Sequence, residues 1–171
     1  RSIASLQRTP QPLRSLQELL SSLPEKLSWA DNPPVRFDFG SQPPLFLPQE
    51  QVDQVLFVVQ EALLNAHRHA QARQMTVTLE SRERETCITV EDDGVGFEQG
   101  AWWETSQSHF GLGVMHSRAA RIGADLRIDS SPGRGTRVTL TLPRQDGTRS
   151  AFADRTREYE SHTSMEQGMA Q

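Results

Sequence analysis

Gln60-Glu61-Ala62-Leu63-Leu64-Asn65-Ala66-His67-Arg68-His69-Ala70, followed downstream by Glu91-Asp92-Asp93-Gly94-Val95-Gly96-Phe97, are the two stretches whose reading decides the fold. Upstream of the first, apolar residues recur at Val52, Val55, Leu56, Val59, Ala62, Leu63 and Ala66, the spacing of one face of an α-helix. Phe57, Val58 and Leu64 carry that stripe most of the way round, so the helix is expected to be largely buried. Glu61 and Asn65 stand one turn apart on one row, with Arg68 and His69 a further turn on. A carboxylate and a carboxamide are thus aimed together from an apolar setting, where leaving them without partners would be costly.

The second stretch alternates. From Thr86 to Asp92, Ile88 and Val90 fall on one face of a strand and Thr89 and Glu91 on the other, which puts Asp92 in phase with the apolar set. An acid sits where core is expected. Gly94 and Gly96 follow as positions without a Cβ, suited either to a tight turn or to the close approach of a ligand.

Leucines 13, 16, 19, 20, 23 and 27 predict an amphipathic helix from Pro12 to about Leu27, with proline in its first turn. Val35 to Phe39 reads as a short strand, Gly40 to Pro48 as a proline-rich loop, and Gln49 to Ala70 as the long helix. Met75–Glu80 and Thr86–Asp92 form a hairpin across a polar turn; Glu98 to Ser108, with Trp102 and Trp103, has no periodicity and reads as a mobile segment. Phe110 to Ile122 is helical with Gly123 as its C-cap, and Asp125–Ser130 with Thr136–Leu142 make a second hairpin around Pro132-Gly133-Arg134-Gly135. Strands in hairpins, rather than alternating singly with helices, predict an α+β fold: a two-layer sandwich whose mixed, largely antiparallel sheet is covered on one face by helices. Rossmann and P-loop folds are disfavoured.

The 171 residues suit one domain with tails. With 18 basic and 22 acidic side chains intermixed and a formal net charge of −4, no basic stripe is available to follow a nucleic acid backbone, so no direct nucleic acid role is expected. Cys87, the sole cysteine, excludes an intrachain disulfide and a cysteine zinc cluster and fits a reducing, cytoplasmic setting. No apolar run is long enough to span a bilayer, and the start at Arg1 suggests a piece cut from something larger, with which a membrane-bound parent is compatible.

Four elements in this order resemble a known family. The helix bearing Glu61, Asn65, Arg68 and His69 is similar to its N-box, Asp92-Asp93-Gly94-Val95-Gly96 to its first glycine box, Phe110-Gly111-Leu112-Gly113 to its second, and Gly133-Arg134-Gly135-Thr136 to its closing glycine-threonine element. The family is the GHKL, or Bergerat-type, ATP-binding catalytic domain of two-component sensor histidine kinases. The phrasing around Gln60 and from Gly111 to Ala124 most resembles the nitrate/nitrite-sensor class, whose partners are response regulators with helix-turn-helix output.

The resemblance, with the chemistry of each side chain, implies the following roles. Asp92 accepts from the exocyclic amine of adenine, with Thr136 supporting it directly or through water. Asn65 offers a neutral oxygen to Mg²⁺. Glu61 is the catalytic residue, orienting or deprotonating through a metal-bound water or aligning the attacking group. Arg68 and His69 stand where phosphate contacts are expected; Gly94, Gly96, Gly111, Leu112 and Gly113 complete the nucleotide site, the last three at a helix start whose N–H groups suit an anion. Asp93 occupies a position where the family commonly has asparagine.

None of His67, His69, His109, His116 or His162 is followed by the acid that accompanies a phospho-acceptor histidine in this class, so the acceptor helix hairpin is expected on a separate segment. Residues 1–10 read as a linker from that hairpin, 11–144 as the catalytic domain, and 145–171 as a disordered tail. The chain alone is expected to be a monomer and its parent a homodimer, anchored in a bacterial inner membrane. The alternatives are an ATP-driven clamp of the gyrase or heat-shock chaperone kind, disfavoured because Lys26, the only lysine, precedes the whole site; an anti-sigma-type serine kinase; and a degenerate module that only docks partners.

Overall fold

The computed structural model describes residues 14–27, 33–98 and 109–144, with the backbone alone at 109 and 110. Expectations for the 1–10 linker, Pro12, the segment after Glu98 with Trp102 and Trp103, and the 145–171 tail lie outside the described residues.

The helical face of the sheet is built as the periodicities demand. Helix α3, Gln49–Asn65, buries Val52, Val55, Val58, Val59, Ala62 and Leu63. They pack on Met75, Val77 and Leu79 of β2 (Met75–Ser81), Ile88 and Val90 of β3 (Glu85–Asp92), and Val138, Leu140 and Leu142 of β5 (Thr136–Pro143) in one apolar cluster. Each fully buried Leu, Ile or Val contributes roughly 1.5–3 kcal/mol. Helix α4, His109–Arg121, adds Leu112, Met115 and Ala119, and β4, Asp125–Ser130, adds Leu126. Alternate residues of the same strands, Thr76, Thr78, Thr89, Thr139 and Thr141, lie on the other, polar face and are only half-buried.

The strand order is β1-β2-β3-β5-β4, with β1 at Val35–Asp38. β1 pairs parallel to β2, as a crossover through α3 requires, and the remaining pairings are antiparallel. The α+β, mixed and largely antiparallel sandwich is therefore as expected. In the register of β3 and β5, Asp92 stands opposite Thr136.

Two helices depart from the reading of the sequence. The leucine-rich segment is not one helix from Pro12. It starts at Leu16, where Ser15 and Glu18 form a reciprocal capping box, and breaks at Ser22 into α1 (Leu16–Ser21) and α2 (Leu23–Lys26). Pro24, lacking an N–H and crowding the carbonyl one turn back, accounts for the break, which leucine spacing alone does not reveal. The long helix, in turn, changes character after Asn65: Ala66–Ala70 is a π-helical turn ended by Gln71 in the left-handed region, φ 50°. The wider turn buries Ala66 and Ala70 and leaves His67, Arg68 and His69 exposed, so the last two do not continue the Glu61–Asn65 row.

Ala70 is where the helix meets the loop after β3. Its carbonyl accepts from the Val95 N–H at 2.7 Å, and a Cβ added at Gly94 would run into that carbonyl and the Ala70 methyl. Gly94→Ala is expected to destabilise the domain by about 1–3 kcal/mol, the range for overpacking. Gly113 inside α4 has open space around it, so Gly113→Ala should stabilise by about 0.5–1 kcal/mol through helix propensity. Urea unfolding of both variants checks the contrast; equal effects of one sign would contradict it.

Candidate functional site

The sheet end of the site is set by the phase of β3. Asp92, last residue of the strand, points to the helical side but is only half-buried. Its Oδ1 accepts from the Gly94 N–H at 2.9 Å, and the Thr136 N–H also bonds the carboxyl. Burial holds the Asp92 pKa above the ordinary 3.8, an effect these two N–H bonds only partly offset. With Oδ1 engaged locally, Oδ2 has capacity for a donor from outside. Asp93 does a different job: its Oδ1 accepts from the N–H groups of Arg73 at 2.7 Å and Gln74 at 3.0 Å, pinning the chain after the π turn to the chain after β3. An asparagine oxygen could accept the same two bonds, so aspartate here preserves the turn.

Gly96, at φ 61°, and Gly135, at φ 69°, are both in the left-handed region. A Cβ at Gly96 would strike the Ser131 carbonyl, and one at Gly135 the carbonyl of Asp92. Gly133 N–H donates to Val95 O at 2.7 Å, and Phe97 N–H to Ser130 Oγ at 2.9 Å. The glycine-rich loop after β3 is therefore wedged between the π turn and the β4–β5 turn. Of the two uses expected for Gly94 and Gly96, the one visible here is backbone packing within the protein.

The helical end pairs α3 with the start of α4. Gly111 faces Glu61 and Asn65: a Cβ there would stand 3.5 Å from Glu61 Oε2 and 3.9 Å from Asn65 Nδ2. The leading N–H groups of α4, that of Gly111 among them, have no intrahelical acceptor and are presented at this end. The Leu112 side chain itself is buried in the core, which leaves its backbone as what it can offer a ligand. α4 is fixed further along, where Arg118 Nη1 donates to the buried Gln54 Oε1 at 3.3 Å and the guanidinium lies 4.6 Å from the centre of the Phe57 ring.

Glu61, Asn65 and Gly111 thus come together on one side of the π turn, and Asp92, Gly94, Gly96 and Thr136 on the other. Arg68 and His69 lie exposed on the turn between them, and Gly113 is exposed on α4. Among the described residues no group of three His, Cys, Asp or Glu could hold a metal, so a cation here would depend on the Asn65 oxygen, water and a ligand's own oxygens. Ser130 and the Gln54–Arg118 pair were not singled out in the sequence, and Gly135 entered only as part of the glycine-threonine element. The Ser-x-Pro-Gly-x-Gly-Thr run from Ser130 carries the signal for Ser130 and Gly135, whereas nothing local points to a glutamine on the apolar face meeting an arginine on a distant helix.

An open groove of about 780 Å³ also reaches Asp92 and Thr136, but from the polar face, between Thr76, Glu91, Asp129 and Arg137. It includes neither Glu61, Asn65 nor Gly111. The groove is thus distinct from the candidate site on the helical face, with which it shares only the Asp92–Thr136 end.

The family model for histidine kinase-, DNA gyrase B-, and HSP90-like ATPases matches residues 50–146. The nitrate/nitrite sensor protein NarX of Escherichia coli K12 is 32% identical over 109 residues, covering 64% of this chain and 18% of that protein. The oxygen sensor histidine kinase NreB of Staphylococcus carnosus is 38% identical over 97 residues, covering 56% of this chain and 27% of that protein. The chain therefore spans well under a third of either relative's length. The solved blue-light activated histidine kinase EL346 of Erythrobacter litoralis matches with a TM-score of 0.60 and 22% identity, over 75% of this chain and 40% of that one, a likeness of fold.

The two adjacent acids predict opposite pH behaviour. Asp92 has a folded pKa above its unfolded value, so its favourable share of stability is complete below about pH 3.8 and is lost as pH rises through the raised pKa. Asp92→Asn should therefore raise the melting temperature of the empty domain at pH 7, with a gain that shrinks on acidification. The Asp93 pKa is lowered by the Gln74 and Arg73 N–H groups, so its contribution is present above about pH 3.8 and disappears as pH falls through the depressed pKa. Asp93→Ala should lower the melting temperature at pH 7. Thermal melts of both variants between about pH 3 and 8 provide the check.

Proposed function

The chain belongs to the histidine kinase-, DNA gyrase B-, and HSP90-like ATPase family and is a catalytic ATPase domain of the two-component sensor histidine kinase kind; from that premise we propose that it binds ATP with Mg²⁺ and passes the γ-phosphoryl group to a histidine on a separate helix hairpin. The observation that supports this most is Asp92, an acid held at the core end of β3 whose carboxyl is bonded by the Gly94 and Thr136 N–H groups and keeps lone pairs for a further donor. An acceptor-only carboxylate at that point fits the exocyclic amine of adenine and disfavours guanine, which presents a carbonyl there. Thr136, opposite in register, supports the same edge of the base.

The triphosphate then extends past the π turn toward Gly111. Arg68 and His69, exposed on that turn, are available to its oxygens, and the first N–H groups of α4 meet it where the macrodipole is positive. Gly111 and Gly113 let the chain approach closely. Asn65 would supply the protein oxygen for Mg²⁺, whose charge would offset that developing on the transferred group. Glu61, one helical turn earlier, orients or deprotonates the attacking group, directly or through water. Little else is required, because phosphoryl transfer rests mainly on positioning and charge stabilisation.

The partners in this reading are the parent's own dimeric phospho-acceptor hairpin and a response regulator with a helix-turn-helix output domain. No helix of the described residues is long and apolar enough to cross a membrane. The domain is proposed to act on the cytoplasmic side of a membrane-anchored parent of the nitrate/nitrite-sensor class.

Asp92→Asn should weaken ATP binding by about 1.5–3 kcal/mol, roughly 10- to 150-fold, and erode the preference over GTP. Calorimetry giving equal affinities for ATP and GTP in the wild-type chain would refute the adenine assignment. With the parent's hairpin supplied in trans, Glu61→Ala should lose phosphoryl transfer while keeping most nucleotide affinity, and Asn65→Ala should lose the Mg²⁺-dependent part of binding. Wild-type transfer rates in Glu61→Ala would remove that residue from catalysis.

A further inference from the structure

Ser130 is a half-buried hydroxyl beside the base-reading pair with no role in the reaction as derived above, and it is the most densely connected polar side chain there. It accepts from the Phe97 N–H at 2.9 Å. It also lies 3.0 Å from two further oxygens, the carbonyl of Gly135 and Oγ1 of Thr136. A serine hydroxyl has one proton for these two acceptors. If the proton goes to Gly135, the Thr136 hydroxyl must donate to Ser130, and Thr136 can only accept toward the pocket. If it goes to Thr136, the Thr136 proton is released toward the pocket, and a chain runs from Phe97 N–H through Ser130 and Thr136, each member polarising the next.

We propose that Ser130 is a positioning residue that sets the donor polarity of Thr136, turning its proton from Gly135 to Thr136 when a purine is bound. The inference rests on the adenine reading of Asp92. The geometry favours that direction because the purine edge alternates: next to the amine that Asp92 accepts comes the ring nitrogen N1, an acceptor. Asp92 when ionised has no proton to give it, and Thr136, across the sheet in register, is the neighbouring group that does. Ser130 thereby makes Thr136 the donor that complements Asp92, the two together matching the donor-acceptor pair on adenine. The rotation moves one proton between two acceptors at equal distance and needs no backbone movement.

The test is calorimetry on the full chain with ATP and with 1-deaza-ATP, in which C–H replaces N1. Ser130→Ala should lower ATP affinity about 3- to 10-fold while changing 1-deaza-ATP affinity by less than about 2-fold, since the Thr136 proton that Ser130 orients has no acceptor there. Ser130→Thr, which keeps a hydroxyl, should restore most of the ATP affinity. If Ser130→Ala does not fold, the near-isosteric Ser130→Cys, a weak donor, is measured against the same pair of nucleotides. Equal losses for both nucleotides, or none for either, would overturn the proposal and leave Ser130 as loop scaffolding. Asp92→Asn on ATP and GTP separates the two levels: a lost preference for ATP with no N1-dependent effect of Ser130 refutes this proposal alone, whereas an unchanged preference refutes the adenine reading beneath it.

Discussion

Backbone-to-backbone contact between three segments is the constraint on which the site depends. The loop after β3 gives the Val95 N–H to Ala70 at the end of the π turn and receives the Gly133 N–H on the Val95 carbonyl. Gly94, Gly96 and Gly135 are the positions at which these chains come closer than any Cβ would permit. Because the loop is clamped on both sides, Asp92 at one of its ends and Asn65 at the head of the π turn occupy a fixed relation without any direct bond between them. Side chains elsewhere in the core could be exchanged for others of similar volume; these backbone contacts have no substitute.

The clamp also explains why an acid can be tolerated at the core end of β3. Placing Asp92 in phase with Ile88 and Val90 strips it of part of its hydration, which raises its pKa. The Gly94 and Thr136 N–H groups return some of that loss, and both are supplied by the clamp itself. On the opposite face, Thr76, Glu91, Arg137 and Asp129 stand side by side across four strands, with Arg137 paired to Glu91 and Arg127 to Asp129. Such exposed pairs are weak individually. Their consequence is register: a slip of one residue would turn Asp92 outward and bring Glu91 into the core.

What could be read in the sequence followed from periodicity, and what could not depended on contacts between distant segments. The alternation of β3 located Asp92, because it follows from the two-residue repeat of a strand; Thr136 came to it through the resemblance of its glycine-threonine element, and the β3–β5 pairing that sets the two opposite is a contact between distant segments. The α3 stripe placed Glu61 and Asn65 for the same kind of reason. The π turn is different: Ala66 to Ala70 has an unremarkable helical composition, and its wider winding is tied to docking Ala70 against Gly94, a residue in another element. The helix break at Ser22 was within reach, since Pro24 and the Ser15–Glu18 capping box are local signals, but the run of leucines at helical spacing masked them. Ser130 was hidden among the polar residues of a turn; only the fold brings Phe97 and Thr136 to its hydroxyl.

The glycines divide according to what demands them. Gly94, Gly96 and Gly135 are dictated by the protein's own backbone, and a methyl at any of them collides with a carbonyl of another segment. Gly111 and Gly113 are not: a Cβ at Gly111 would make ordinary contact with Glu61 and Asn65, and one at Gly113 would meet nothing. A glycine within a helix is destabilising relative to alanine, so two of them in α4 lower its stability without any gain in packing. The space left at Gly111 lies above the carboxylate and carboxamide of α3 and beside N–H groups that have no acceptor in their own helix, whereas that at Gly113 is open. The protein alone gives no reason to keep the space at Gly111 empty; under the function proposed above, a negatively charged group brought close to the backbone would.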